Sequence, residues 1–283
     1  MGGPASSPWV SRVQKWVESE PNVRLAFLVG SQARTEKPAD AFSDIDFALF
    51  ARVPDLLLED EQWVATLGRY WTSHREPASV GVAEERRVLF EDGQDVDFSI
   101  FPAASFGSLM ADPDAQMVLH RGYRILSNKD SVVIPEPSGD PPARGFSFPE
   151  FSNLVNDYWF HLVCTAKKLR RGELMTALEA TNGHLRALLV RLARWHAMAL
   201  GRESREVWHA ARFFESWADP RVIREFGDTV ARYDSDSLNR ALQASQQMFR
   251  WMSEEVRRAR SFPNPLRDEA KLSRYLAKLF RPG

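Results

Sequence analysis

The chain has 283 residues, of which 44% are hydrophobic and 27% charged, and its formal net charge is −1. This is ordinary globular composition with length enough for two cores. The charge argues against a polynucleotide ligand, which selects a basic footprint, and no run of about twenty apolar residues is present to span a membrane.

A single cysteine, Cys164, excludes an intramolecular disulfide and fits a reducing compartment. With no basic-then-apolar start, the expectation is a cytoplasmic protein. Trp9, Val13, Trp16 and Val17 recur at helical spacing and predict a short amphipathic helix. Val23 to Val29 reads as an apolar strand that ends in the turn Gly30-Ser31. The next strand, residues 43–50, alternates: Asp44 and Asp46 point one way, Ile45 and Phe47 the other. A helix is predicted over residues 59–71. Residues 88–90 and 96–101 flank Glu91-Asp92-Gly93-Gln94 and read as a hairpin, with Asp97 on its second arm. A helical region around 105–121 and an edge strand at 123–126 follow.

Residues 134–145 hold the densest proline and glycine in the chain and set the boundary. The predicted organisation is an α+β domain over residues 1–136, a linker over 137–148 and a helical domain over 149–283. In the latter, helices are predicted at 149–171, 204–217, 235–260 and 265–281. Leu174, Leu178, Leu185, Leu188, Leu192 and Trp195 are read as one face of a single bundle helix. The active cleft is expected between the two halves.

The chemistry is carried by carboxylates. Two like charges at 4 Å repel by about 4 kcal/mol in an effective dielectric near 20. A cation removes that penalty, and Asp44 with Asp46 offers the hard oxygens that magnesium takes beside substrate phosphates. A hairpin arm laid next to that strand brings Asp97 to the same place. Gly30 lets backbone approach phosphates closely, and Ser31 can offer its N–H and hydroxyl. Lys167-Lys168-Leu169-Arg170-Arg171 is the one dense basic run, and Lys167 and Arg171 share a helix face. The six histidines show no metal-ligand spacing, and no role is assigned to any of them; His196 is read as a packing residue.

Gly30-Ser31, twelve intervening residues, Asp44-Ile45-Asp46 and the later Asp97 together resemble the polymerase-beta-type nucleotidyltransferase superfamily. More narrowly, Leu28 to Phe50, with Pro38, Asp40 and Phe42, is similar to the streptomycin (aminoglycoside) 6-adenylyltransferases. The strand 96–102, Asn156-Asp157-Tyr158-Trp159, Lys167, Arg171 and Trp195-His196-Ala197 extend the similarity weakly to about residue 280. Lincosamide nucleotidyltransferases share the plan around Leu169 to Glu173.

The resemblance implies a nucleotidyltransferase domain followed by a helical bundle. It implies transfer of AMP from ATP to a hydroxyl of a streptomycin-like aminoglycoside, with two Mg2+ ions held by Asp44 and Asp46. A lincosamide or other small hydroxylated acceptor and a non-catalytic nucleotide-binding homologue are the alternatives. Asp97 is the third metal ligand or the general base, and the resemblance favours the base. Gly30, Ser31, Arg34, Lys167 and Arg171 are expected at the nucleotide, Asp157 at a cationic acceptor. The family has arginine after Gly-Ser where this chain has Gln32, so Arg34 is the substitute phosphate contact. A monomer acting on small molecules, with no nucleic-acid or membrane partner, is the expected working form.

Overall fold

The structure is a computed structural model that describes residues 7–34, 37–78, 80–81, 83–135, 145–201 and 211–280. The chain divides into two compact units, Met1–Ala143 and Arg144–Gly283.

The first unit is a six-stranded mixed sheet with flanking helices. Helix α1 (Pro8–Ser19) is capped by the Ser7 hydroxyl and buries Trp9, Val10, Val13 and Val17. Strand β1 (Val23–Val29) follows, then a single helical turn at Gly30–Gln32 and strand β2 (Ile45–Ala51). Two short helices, α2 (Asp55–Leu58) and α3 (Gln62–Leu67), lead to strands β3 (Tyr70–Pro77), β4 (Glu84–Phe90) and β5 (Asp95–Pro102). Helices α4 (Phe106–Leu109) and α5 (Pro113–Arg121) and strand β6 (Arg124–Asn128) complete the unit.

The sheet order is β3-β4-β5-β2-β1-β6. All neighbours are antiparallel except the central pair β2 and β5, which is parallel. Strand alternation sorts the side chains as the sequence predicts. Ile45, Phe47 and Leu49 of β2 and Val96, Phe98 and Ile100 of β5 join the core under α1 and α3. Phe50 and Phe101 point to the opposite face and pack with Phe27 and Phe106. Asp46 and Asp97 have the parity of Phe50 and Phe101, so they leave the core under α1.

Two local expectations are corrected. The helix expected over 59–71 is only α3, because Gly68 ends it and Tyr70 and Trp71 begin β3. The helical region at 105–121 is split by Asp112, whose carboxylate accepts from Asp114 and Ala115 N–H groups and starts α5 afresh.

The second unit is helical. Helix α6 (Phe148–Arg170) starts with a capping box in which Ser147 and Glu150 satisfy each other's backbone N–H groups. Helix α7 (Leu174–Glu179) runs through a π-helical turn, Ala180–Leu185, into α8 (Arg186–Ala199). The single-face reading of Leu174 to Trp195 fails here. A π turn accommodates one extra residue, which rotates the following helix by about 100°. Leu174 and Leu178 therefore pack with Ala231 and Leu238, while Leu185, Leu188, Leu192 and Trp195 join the main bundle core. Short helices α9 (Phe214–Trp217) and α10 (Pro220–Glu225) precede the long α11 (Ser235–Ala259) and the last helix α12 (Glu269–Leu279). Most of the helix expected at 204–217 lies outside the described residues. Tyr158 of α6 is fully buried, stacked on Phe249 at 3.6 Å between ring centres, and its hydroxyl meets that of Ser245 at 2.6 Å. His196 is buried, as expected of a packing residue, and is 2.7 Å from Glu255 Oε2.

A buried charge ties the first unit together. Arg86 on β4 is 2% exposed. Its guanidinium donates to the Leu57 carbonyl at 3.2 Å, the Leu58 carbonyl, Glu61 Oε1 at 2.6 Å and Ser73 Oγ at 3.0 Å. Those two carbonyls lie at the end of α2, where intrahelical partners run out, and the Trp63 indole N–H also donates to Leu57 at 3.0 Å. Arg86→Ala is expected to destabilise the protein by about 3 kcal/mol in urea unfolding, and Arg86→Lys to recover only part because it lacks the planar fork.

Candidate active site

The site is assembled by the register of three strands. Val29 of β1 pairs with Asp46, and Asp46 pairs with Asp97 across the parallel β2–β5 ladder. Asp44 sits one residue before β2, where its carbonyl accepts the Ser31 hydroxyl at 3.1 Å. Gln94 reinforces the same point by donating to the Ser43 carbonyl at 3.1 Å. As a result, carboxylate oxygens of Asp44, Asp46 and Asp97 lie within 4.8 Å of one another. The hairpin arm of the sequence reading does lie beside the Asp44/Asp46 strand.

Gly30 is pressed against this cluster. Its φ is +67°, in the left-handed region, and a Cβ there would fall 1.9 Å from Asp46 Oδ2. Glycine is required on both counts.

The surroundings of Asp97 set its proton affinity. It is 8% exposed. Burial, and then the neighbouring carboxylates Glu85, Asp44 and Asp95, push its pKa up to about 6 against the opposing pull of Arg87. Arg87 stands opposite Asp97 on β4, with Nη2 3.5 Å from Asp97 Oδ2 and 3.2 Å from Glu85 Oε2. Its Nε is 2.7 Å from Glu76 Oε1, and the Ser99 hydroxyl donates to Glu85 Oε1 at 2.8 Å. Sequence reasoning missed Arg87 and Glu85. The signal was available, since both share the strand parity that faces Asp97 once β4 and β5 pair.

Three converging carboxylates form an all-oxygen donor set of concentrated negative charge, which suits a hard divalent cation. A family model for streptomycin adenylyltransferases matches residues 7–279. The chain belongs to that family.

Its relatives agree in name. An aminoglycoside 6-adenylyltransferase of Bacillus subtilis (strain 168) is 22% identical over 260 residues, 89% of this chain and 89% of its own. A second, from Staphylococcus aureus, is 24% identical over 65% of this chain and 66% of its own. A crystal structure of an aminoglycoside 6-adenyltransferase from Bacillus subtilis aligns with 99% of this chain and 100% of its own, at 18% identity and a TM-score of 0.47. As a member of the streptomycin adenylyltransferase family, the protein is a nucleotidyltransferase.

The other residues singled out in the sequence have the following partners. Arg34 turns its Nε to the Lys37 carbonyl at 2.7 Å, so part of its guanidinium holds the loop between the turn and β2. The Ser31 side chain is buried and its hydroxyl is engaged by Asp44. In the second unit, Lys167 lies 5.6 Å from the centre of the Tyr275 ring, and Arg171 caps α6 with its Nε 2.6 Å from Glu173 Oε1. Asp157 is not an isolated carboxylate, because two imidazoles share its Oδ1.

Two outcomes follow from this geometry. Gly30→Ala should displace Asp46 and lower nucleotidyl transfer by roughly 100-fold or more, with an unchanged circular dichroism spectrum. Asp97→Asn should stabilise the metal-free protein. A carboxyl whose folded pKa is raised binds its proton more tightly in the folded state, so its cost appears as pH rises through about 4 to 6 and is complete above that. The expected gain is on the order of 3 kcal/mol at pH 7.5, seen as a thermal midpoint several degrees higher, and it should vanish near pH 4.

Proposed function

We propose that the protein transfers AMP from ATP to a hydroxyl of a streptomycin-like aminoglycoside and releases pyrophosphate. The observation that carries the reading is the convergence of Asp44, Asp46 and Asp97 beside a glycine turn. Membership of the family and the names of the relatives support the acceptor class.

Asp44 and Asp46 are the residues that would hold Mg2+, two ions in this reading. The metal would supply charge neutralisation for the triphosphate and for the oxygens that attack and leave. Every other contribution belongs to the chain. The Gly30 turn has no side chain, so it leaves room for phosphate beside Asp46. Ser31 contributes its backbone rather than its hydroxyl, which holds Asp44 in place.

Asp97 acts as the general base. Its pKa of about 6 leaves it ionised at neutral pH, yet basic enough to accept the acceptor's hydroxyl proton. As that proton passes to Asp97, the acceptor oxygen bonds to the alpha-phosphorus. The bond from that phosphorus to the bridging oxygen then breaks, and the electron pair departs with pyrophosphate. Arg87, held by Glu76 and Glu85, fixes the Asp97 carboxylate and keeps its pKa from rising further. Arg34, Lys167 and Arg171 are assigned to the nucleotide, each exchanging its present partner for a phosphate oxygen.

Mass spectrometry of streptomycin incubated with the protein, ATP and Mg2+, beside a lincosamide and a metal-free control, tests the reading. The expected product is an adenylyl adduct on streptomycin only, abolished in Asp44→Asn and Asp46→Asn. An adduct on the lincosamide alone would refute the acceptor class, and full activity in either aspartate variant would refute the site.

A further inference from the structure

Among the described residues, a second convergent set of ligand-bearing side chains lies in the helical unit. Asp157 and His161 stand on α6, and His184 stands in the π turn. Asp157 Oδ1 is 2.6 Å from His161 Nδ1 and 3.0 Å from His184 Nε2. The two imidazole centres are 4.3 Å apart. The histidine side chains are 43% and 45% exposed, so one side of the group is open to solvent.

Two features distinguish this group from an ordinary surface ion pair. The first is fixed placement. Asp157 and His161 are four residues apart and share a helix face. His184 is presented by the π turn, whose Asn182 is locked to the Ala231 backbone by reciprocal hydrogen bonds of 2.8 and 2.9 Å. Isolated π turns inside helices recur at functional sites. The second feature is donor chemistry. Two imidazole nitrogens with one carboxylate oxygen select zinc and its transition-metal neighbours over magnesium, and three protein ligands leave a coordination position open. Metal bonds of about 2.0–2.2 Å require donor atoms only a few ångströms apart. All three donors meet that condition, lying within 4.8 Å of one another.

We propose that Asp157, His161 and His184 form a binding site for a divalent transition ion of the zinc type, with an open position toward solvent. It is chemically distinct from the carboxylate cluster of the first unit. On binding, the lone pairs of His161 Nδ1 and His184 Nε2 turn to the ion. Any proton on those nitrogens moves to the ring's other nitrogen or to solvent. Asp157 changes from hydrogen-bond acceptor to ligand, and the ion joins α6 to the π turn.

The test is calorimetric titration of the full chain with Zn2+ in excess Mg2+, with the visible spectrum of the Co2+ form as a second readout. One equivalent is expected, retained when Asp44 and Asp46 are both replaced by Asn. His161→Ala and His184→Ala should each weaken it by more than roughly 100-fold, beyond the scale that outer-shell partners alone reach. The intense cobalt bands should fall with it. Asp157→Asn, which preserves shape, gives an independent variant if either alanine change perturbs folding in a metal-free melt. The proposal is overturned if no stoichiometric zinc binds, or if the bound equivalent persists in the histidine variants and in Asp157→Asn.

Discussion

Everything at the catalytic end rests on the parallel pairing of β2 with β5. Antiparallel hairpins would have arisen from neighbouring segments with little long-range cost. A parallel pair instead requires the chain to leave β2, pass through α2, α3 and the β3–β4 hairpin, and return alongside. What that detour achieves is the register Asp46 opposite Asp97, two carboxylates side by side on a strand face. Apolar packing on the opposite face, by Ile45, Phe47, Val96 and Phe98, holds the register against electrostatic repulsion. A one-residue slip would exchange those core side chains with the aspartates, so the pairing is stabilised and the charges are aligned by the same alternation.

Adjacent arginines on β4 show how that alternation divides labour. Arg86 faces inward and satisfies the carbonyl end of α2, while Arg87 faces the aspartates with Glu76 and Glu85 behind it. The arginine buried beside α2 and the one beside the aspartates differ only in parity. Neither burial nor partner is written in the dipeptide itself, because both depend on α2 and β5 arriving from elsewhere.

Much of this was legible beforehand for a physical reason. β1 is a short apolar run bounded by a glycine turn, the aspartate strand carries strong local alternation, and Asp92-Gly93 marks a tight turn, so short-range rules suffice. β3 was hidden because Tyr70 to Pro77 is partly exposed along its whole length and shows no apolar period. The helix expected over residues 59–71 absorbed its first two residues. The histidine pair was hidden for another reason. His161 and His184 are 23 positions apart and meet only because a π turn changes the phase of the second helix. A reading that assumes 3.6 residues per turn through 174–199 places His184 on the wrong face. The same assumption merged Leu174 and Leu178 with a core to which they do not belong.

The π turn also constrains how chain length can change here. Removing one residue from 180–185 would restore α-helical phase through this segment. Yet the helix is anchored at both ends in different apolar clusters, so a shorter chain could satisfy one anchor only by rotating out of the other. Insertion and deletion at this point are therefore coupled to the packing of α7 and α8 as a whole. Between homologous sequences, a one-residue gap in this segment would mark a change of helical phase, and the placement of His184 would change with it.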